Sequence, residues 1–225
     1  MFERSPRLAQ ILRKSLAEFA GTALLVCVVV GSGIMGTNLS HDLGVALIVN
    51  ALSTILALAL LILILGPISG AHLNPAVTFV QILQGKVRGG EAAAYVVAQA
   101  SGAISGALLA NLMFDLPLVQ ISVHERVSPG LLVGEVVATA GLIAVIGILG
   151  ARGLDRLIPL AVAAWIGSAY FFTSSTSFAN PAVTIGRMFS DTFAGISPAS
   201  VLPYIVAQLV GAMIGMAVVR GVTHD

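Results

Sequence analysis

Six long apolar stretches, separated by short polar segments, dominate the chain. Each has close to the roughly 20 residues that a helix needs to cross a hydrocarbon core about 30 Å thick. The pattern predicts membrane spans at residues 15–35, 44–65, 90–114, 129–150, 157–172 and 198–219. Small residues four positions apart in the third and sixth spans favour close helix packing in lipid. They are Ala98, Gly102, Gly106, Ala207, Gly211 and Gly215.

Two shorter apolar segments begin with the same five residues, Asn-Pro-Ala-Val-Thr. One copy starts at Asn74 and the other at Asn180. Asparagine is a strong N-cap, and proline fits the first helical position because its missing N–H has no partner there. Residues 75–84 and 181–190 are therefore predicted to form helices of about 15 Å, half the thickness of the hydrocarbon core. Placed end to end, two such half helices would cross the membrane once.

The second half of the sequence repeats the first. Residues 95–106 match residues 204–215, and Glu18 corresponds to Glu135. Because each half contains three crossings and a half helix, the second copy is predicted to be inverted about an axis in the membrane plane. The expected fold class is an all-α membrane protein with six transmembrane helices and two re-entrant half helices. The expected organisation is one domain, 1–225, with repeats at 1–114 and 129–225.

Composition agrees with a membrane protein, since 57% of residues are hydrophobic and 9% are charged, whereas about a quarter are charged in soluble domains. A net charge of +1 without a basic stripe indicates no nucleic-acid partner. Residues 1–14 resemble the start of a signal peptide, but the apolar run after them is about twice a typical signal core. With the N-terminus inside, nine of eleven Lys and Arg residues are cytoplasmic. This predicts a multi-pass protein of the cell (inner) membrane with cytoplasmic termini.

The segments before the two asparagines are predicted to be non-helical backbone at membrane depth. Such backbone is tolerated only where it is buried in protein or lines a watery cavity. A predicted pore-lining loop comprises Gly70, Ala71, His72 and Leu73. A predicted pore centre comprises Asn74, Pro75, Ala76, Asn180, Pro181 and Ala182. There, two helix N-termini and two amides would oppose cations and bind neutral polar solutes; the alternative is that each asparagine merely caps a helix.

Four polar residues lie inside the apolar spans in pairs related by the repeat: Glu18 with Glu135, and Gln99 with Gln208. A carboxylate at this depth is expensive and suggests a proton relay. The competing interpretation is that each glutamate accepts backbone N–H bonds from the loop of its own half. The paired placement favours this structural role, and the two glutamines are likewise expected to anchor the loops.

Other polar residues leave alternatives open. His72 either lines the pore or hydrogen-bonds a carbonyl. Asn50, Ser53 and Thr54 share one helical face of span two, which faces the pore or bonds neighbouring helices. Cys27 is the only cysteine, and no ligand spacing indicates a metal site or a cofactor. No nucleophile and base are arranged together, so an enzyme is not expected.

These motifs resemble the aquaporin and aquaglyceroporin family, the major intrinsic proteins, over nearly the whole chain: residues 17–22, 69–78, 98–102 and the second Asn-Pro-Ala. The resemblance implies one pore per subunit, a homotetramer, and water and small neutral solutes as partners within a lipid bilayer. It also implies an outer selectivity filter of four side chains. The corresponding positions here are Thr54, Ser168, Ser177 and Val183.

The family's usual filter arginine is replaced by Val183, which lacks the charge and the donor fork. The resemblance therefore implies a wider and less polar filter with no aromatic residue. Arg187, one turn further along, cannot occupy the same filter site. It either attracts anions to the mouth or, as the favoured interpretation, snorkels or pairs with Asp191. The valine after the second Asn-Pro-Ala resembles the pattern of the bacterial family branch that is associated with arsenic-resistance operons. This resemblance implies permeation of arsenous acid. The residues themselves do not separate arsenous acid from glycerol.

The predicted function is a passive channel for water and small uncharged solutes, including glycerol-type polyols and neutral metalloids. Secondary active transporters also use inverted repeats and broken helices. That alternative would use Glu18 and Glu135 for ion coupling. A membrane scaffold with a closed pore is a third possibility, for which the short loops offer little binding surface.

Overall fold

A computed structural model describes residues 6–223, which form a bundle of helices with no strand in that range. The helices are α1 (Pro6–Leu39), α2 (Leu43–Ser69), α3 (Pro75–Leu83), α4 (Gly89–Met113), α5 (Pro129–Ala151), α6 (Ile158–Phe172), α7 (Pro181–Arg187) and α8 (Pro198–Thr223). A single 3₁₀ turn, Asp155–Leu157, precedes α6. Five of these helices, α1, α2, α4, α5 and α8, are long and apolar enough to cross a membrane. The sixth predicted span, α6, has 15 residues and is about 22 Å long.

Four helices differ from their predicted bounds by three residues or more. Helix α2 ends at Ser69 and α8 at Thr223, each four residues later than predicted. The predicted polar leader is helical from Pro6, so that α1 extends the first span by about two and a half turns on its basic side. Residues 1–5 lie outside the described range. The second half helix has seven residues instead of ten. It ends because the amides of Met188 and Phe189 bond the carbonyls of Ile185 and Gly186, which tightens the last turn.

The small residues lie where helices meet, as their spacing predicted. In the first half, α4 packs against α1, and in the second half α8 packs against α5. A Cβ atom built on Gly106 would overlap the carbonyl oxygen of Ala23, and one on Gly215 would overlap that of Ala140. The backbones at these crossings therefore approach too closely for any side chain.

Replacing Gly106 with leucine is expected to prevent correct assembly, because the new side chain would meet α1 backbone rather than a movable side chain. Overpacking of this kind costs at least about 1–3 kcal/mol. Gly90→Leu is the matched control, since a Cβ there meets open space. Yield and monodispersity in detergent measure the effect, and equal yields for the two variants would contradict a close crossing.

The connection between the two halves packs onto the segment that follows α7. The amide of Ser122 donates to the Met188 carbonyl at 3.0 Å, and the amide of Ser197 donates to the His124 carbonyl at 2.7 Å. Arg126 donates through Nε to the Gly195 carbonyl at 2.7 Å. These bonds fix the chain around the C-terminal end of α7.

Candidate functional site

Glu18 holds the loop that precedes α3. The carboxylate is fully buried, and its two oxygens accept four hydrogen bonds. The donors are Ser69 Oγ at 2.6 Å, the His72 amide at 2.9 Å, the Leu73 amide at 2.6 Å and Gln99 Nε2 at 2.8 Å. These contacts are those expected of a loop anchor.

Glu135 holds the loop that precedes α7 in the same way. It is fully buried and accepts from the Phe178 amide at 2.9 Å, the Ala179 amide at 2.8 Å and Gln208 Nε2 at 2.6 Å. Gln208 also donates to Thr184 Oγ1 at 2.9 Å, just as Gln99 donates to Thr78 Oγ1 at 3.1 Å. Three of the four hydrogen bonds to Glu18 therefore have a counterpart at Glu135.

The two loops share an unusual backbone. Gly70 ends α2 with φ 88°, and residues three and one before each asparagine are left-handed. These residues are Ala71 (φ 45°), Leu73 (φ 49°), Ser177 (φ 53°) and Ala179 (φ 47°). A left-handed residue other than glycine costs about 1–2 kcal/mol. The bonds to the buried carboxylates offset this cost and hold both loops in one conformation.

The asparagines cap their own helices and also bind the opposite loop. Asn74 accepts from the Ala76 amide at 2.9 Å and donates through Nδ2 to the Ala179 carbonyl at 2.8 Å. Asn180 accepts from the Ala182 amide at 3.0 Å and donates through Nδ2 to the Leu73 carbonyl at 2.7 Å. Each amide thus uses one of its two hydrogens to join the halves.

Both asparagines lie on the wall of a cavity of about 360 Å³. The predicted loop residues lie on the same wall: Gly70, Ala71, His72 and Leu73. Pro75, Ala76, Pro181 and Ala182 form the first turns of α3 and α7, away from the wall. The cavity runs from Lys86 and Asp155 at one end to Arg187 at the other.

Helix α6 contributes every fourth residue to this wall: Ile158, Val162, Ile166 and Tyr170. The row spans about 18 Å at 1.5 Å per residue. The prediction that Ser168 forms part of the filter is wrong, because Ser168 is exposed on the outer face of the bundle. Two residues beyond Ile166, it points about 200° around the helix from the wall. Thr54, Ser177 and Val183 do line the cavity.

The sequence allowed the polar residues of α2 either to face the pore or to bond neighbouring helices, and the structure shows an example of each. Thr54 lies on the cavity wall. Asn50 instead donates to the Val29 carbonyl at 2.7 Å and to Ser32 Oγ at 3.0 Å. Ser53 lies at a separate, apolar groove between α1 and α2. Asn50 therefore forms interhelical hydrogen bonds, and of the three residues only Thr54 lines the cavity.

Arg187 occupies a different place from the one predicted. It neither snorkels nor pairs with Asp191; it is 3% exposed and lies on the cavity wall. Its Nε donates to the Ala194 carbonyl, and its guanidinium carbon lies 3.4 Å from the centroid of the Phe178 ring. Because α7 ends at Arg187, Asp191 is not on the next turn, and its carboxylate accepts from the Val123 amide at 3.0 Å.

Aromatic residues also reach the cavity, contrary to the expected filter. Tyr170 and Phe178 both line it, and the Tyr170 hydroxyl donates to Thr54 Oγ1 at 3.2 Å. Sequence comparison by position missed Tyr170 because it lies two residues from Ser168. The signal was present in the four-residue spacing along α6, which joins Tyr170 to Ile166 and Val162.

A family model described as major intrinsic protein matches residues 5–174 and 153–225. The chain belongs to the major intrinsic protein family. Members of this family are channels and not enzymes, and this chain is accordingly a multi-pass integral membrane protein. The resemblance stated from the sequence motifs is confirmed.

Three relatives align with 65% or more of this chain. The aquaglyceroporin AqpS of Rhizobium meliloti (strain 1021) is 46% identical over 210 residues, which cover 93% of this chain and 90% of that protein. Aquaporin Z of Brucella melitensis biotype 1 is 28% identical over 227 residues, covering 94% and 98%. A probable glycerol uptake facilitator protein of Thermotoga maritima is 32% identical over 65% of this chain and 69% of its own length.

The fold agrees with that of a solved major intrinsic protein. The X-ray structure of the aquaglyceroporin from Plasmodium falciparum superposes with a TM-score of 0.78 at 21% identity, covering 95% of this chain and 97% of the other. The all-α fold with six spans and two half helices, predicted from the sequence, is confirmed.

Proposed function

We propose that this chain is a passive channel for water and small uncharged solutes, among them glycerol-type polyols and neutral metalloid hydroxides such as arsenous acid. The observation that carries the proposal is the pair of Asn74 and Asn180 amides on the wall of one cavity between the halves. One hydrogen of each Nδ2 joins the opposite loop. The second hydrogen of each is then available to an acceptor in the pore.

The two loops supply acceptors to the same pore. The amides of His72 and Leu73 point to Glu18, and those of Phe178 and Ala179 point to Glu135. In a trans peptide the carbonyl points opposite to the N–H. The carbonyls of residues 71, 72, 177 and 178 therefore point away from the glutamates, and we place them along the pore.

The rest of the wall favours solutes that have both hydroxyl groups and an apolar side. Apolar side chains of α2, α5 and α6 line most of the cavity, including Leu58, Ile62, Leu142, Val162 and Ile166. A polyol can direct its hydroxyls to the asparagines and loop carbonyls and its carbon atoms to these side chains. The names of the aquaglyceroporin and glycerol-facilitator relatives agree with this solute class.

The transporter alternative finds less support. Ion coupling would need Glu18 or Glu135 to bind and release an ion, yet both oxygens of each carboxylate accept hydrogen bonds from loop or glutamine donors. Removing those bonds would release the loops that form the pore. The two glutamates serve the channel best as fixed anchors of its loops.

The filter, assembly and orientation belong to the same proposal. We place the filter at Thr54, Ser177 and Val183, without Ser168. The family supports one pore per subunit in a homotetramer. The distribution of Lys and Arg supports cytoplasmic termini in the cell (inner) membrane, with residues 1–225 as one domain of two repeats.

Stopped-flow light scattering on proteoliposomes tests the proposal with water, glycerol, urea and arsenous acid. We expect water and glycerol permeability well above that of protein-free liposomes, with flux that follows only the solute gradient. An imposed proton or sodium gradient is the control condition. Solute accumulation driven by either ion gradient would contradict a passive channel.

A further inference from the structure

Arg187 is a buried cation whose bonding is incomplete. Of its five N–H groups, Nε–H donates to the Ala194 carbonyl. Within residues 6–223, the other four make no hydrogen bond to the protein, and no carboxylate forms an ion pair with this side chain. A buried charge without partners is strongly unfavourable. The guanidinium lies on the cavity wall, so what fills the cavity must satisfy those donors.

The surroundings of Arg187 hold it in this position. Its guanidinium carbon lies 3.4 Å from the centroid of Phe178, and that of Arg126 lies 5.3 Å from the same ring. Arg126 is fixed by the carbonyls of Gly195 and Phe193 at 2.7 and 3.2 Å. Two cations therefore share one aromatic ring, which adds positive potential at this end of the cavity.

Val183 and Arg187 lie on the same face of α7, because residues four apart are neighbours on a helix. Both line the cavity. The Cα atom of Arg187 is therefore about 6 Å further along the helix axis than that of Val183, at 1.5 Å per residue. The positive charge and the donor fork that Val183 lacks are present one turn away.

From this geometry we infer that Arg187 is a specificity-determining residue of the pore: it repels cations and donates hydrogen bonds to the hydroxyl groups of entering solutes. Tyr170 lines the same cavity, with its hydroxyl donating to Thr54 Oγ1. The outer selective region then has two levels. Val183 leaves room for bulky neutral solutes, and Arg187 retains the discrimination against charge.

The test compares Arg187→Gln, which removes the charge, with Arg187→Lys, which keeps the charge and loses the planar fork. Arg152→Gln is the matched control, because Arg152 is exposed at the opposite end of α5 from the loop anchor. Proteoliposomes are assayed for water, glycerol and guanidinium-ion flux. Arg187→Gln is expected to raise guanidinium flux about tenfold or more while water flux stays within about twofold. Arg187→Lys is expected to keep guanidinium out and to lower the glycerol-to-water permeability ratio about threefold.

The wild type is measured first, because the role of Arg187 rests on the proposed channel function. If the wild type moves no more water or glycerol than protein-free liposomes, the channel proposal fails. If the wild type conducts and Arg187→Gln excludes guanidinium as well as the wild type does, the role of Arg187 is overturned. Should Arg187→Gln not yield folded protein, Arg187→Lys decides: guanidinium flux through it, or an unchanged glycerol-to-water ratio, overturns the role.

Discussion

Replacing Glu135 with alanine is expected to abolish the native fold of the second loop and with it the recovery of folded protein. The change leaves three buried donors without an acceptor: the amides of Phe178 and Ala179 and Nε2 of Gln208. Each such loss costs about 1–3 kcal/mol, while the whole stability of a protein is about 5–15 kcal/mol. The loop also loses the hydrogen bonds that hold Ser177 and Ala179 in the left-handed conformation.

Thermal unfolding in detergent and the yield of monodisperse protein measure this effect. Glu125→Ala is the matched control, because Glu125 is exposed in the connection between the halves; it should behave as wild type. A Glu135→Ala protein that folds normally but responds differently to a proton gradient would contradict the anchor and favour a proton relay. Glu18→Ala is expected to act similarly, since its carboxylate accepts four hydrogen bonds.

Replacing Val183 with arginine is expected to suppress the passage of glycerol and larger neutral solutes while water still passes. Val183 is buried on the cavity wall and lies one turn from Arg187. A second guanidinium there narrows the pore and strips hydration from any solute that spans both levels. We expect glycerol and arsenous acid flux to fall about tenfold or more, equivalent to about 1.4 kcal/mol of added barrier.

The control for this prediction is Val183→Leu, which adds volume without charge or donors. It should lower glycerol flux by a smaller factor than arginine and leave the glycerol-to-water ratio between those of the other two proteins. The measurement is stopped-flow light scattering on the same liposome preparations. Equal solute fluxes through wild type and Val183→Arg would show that Val183 does not set selectivity.

Much of the architecture follows from local sequence rules. Apart from the start of α1, runs of apolar residues located the long helices within a few positions, because lipid forces every backbone group to bond within a helix. Asn74 and Asn180 marked two helix starts through capping alone. The repeat then paired Glu18 with Glu135, and their similar surroundings in the two halves follow from that pairing.

The end of the cavity at Arg187 could not be predicted in the same way. The place of Arg187 depends on where α7 stops, and that is decided by the tight turn at Met188 and by contacts with residues 120–126, far away in sequence. Ser168 was assigned by counting positions in a resemblance, whereas the row through Ile166 and Tyr170 is set by the rotation of α6 against its neighbours. Long-range packing decides such rotations.

The exchange of hydrogen bonds between Asn74 and the carbonyl of Ala179, and between Asn180 and that of Leu73, has a consequence for how the chain is made. While the ribosome has delivered only the first half, the Asn74 amide has no acceptor across from it and the Leu73 carbonyl has no donor. The centre of the bundle therefore closes only after the loop that precedes α7 has been added. A chain that ends before the second loop would keep the Asn74 amide and the Leu73 carbonyl unsatisfied at membrane depth. These exposed polar groups distinguish it from the finished protein.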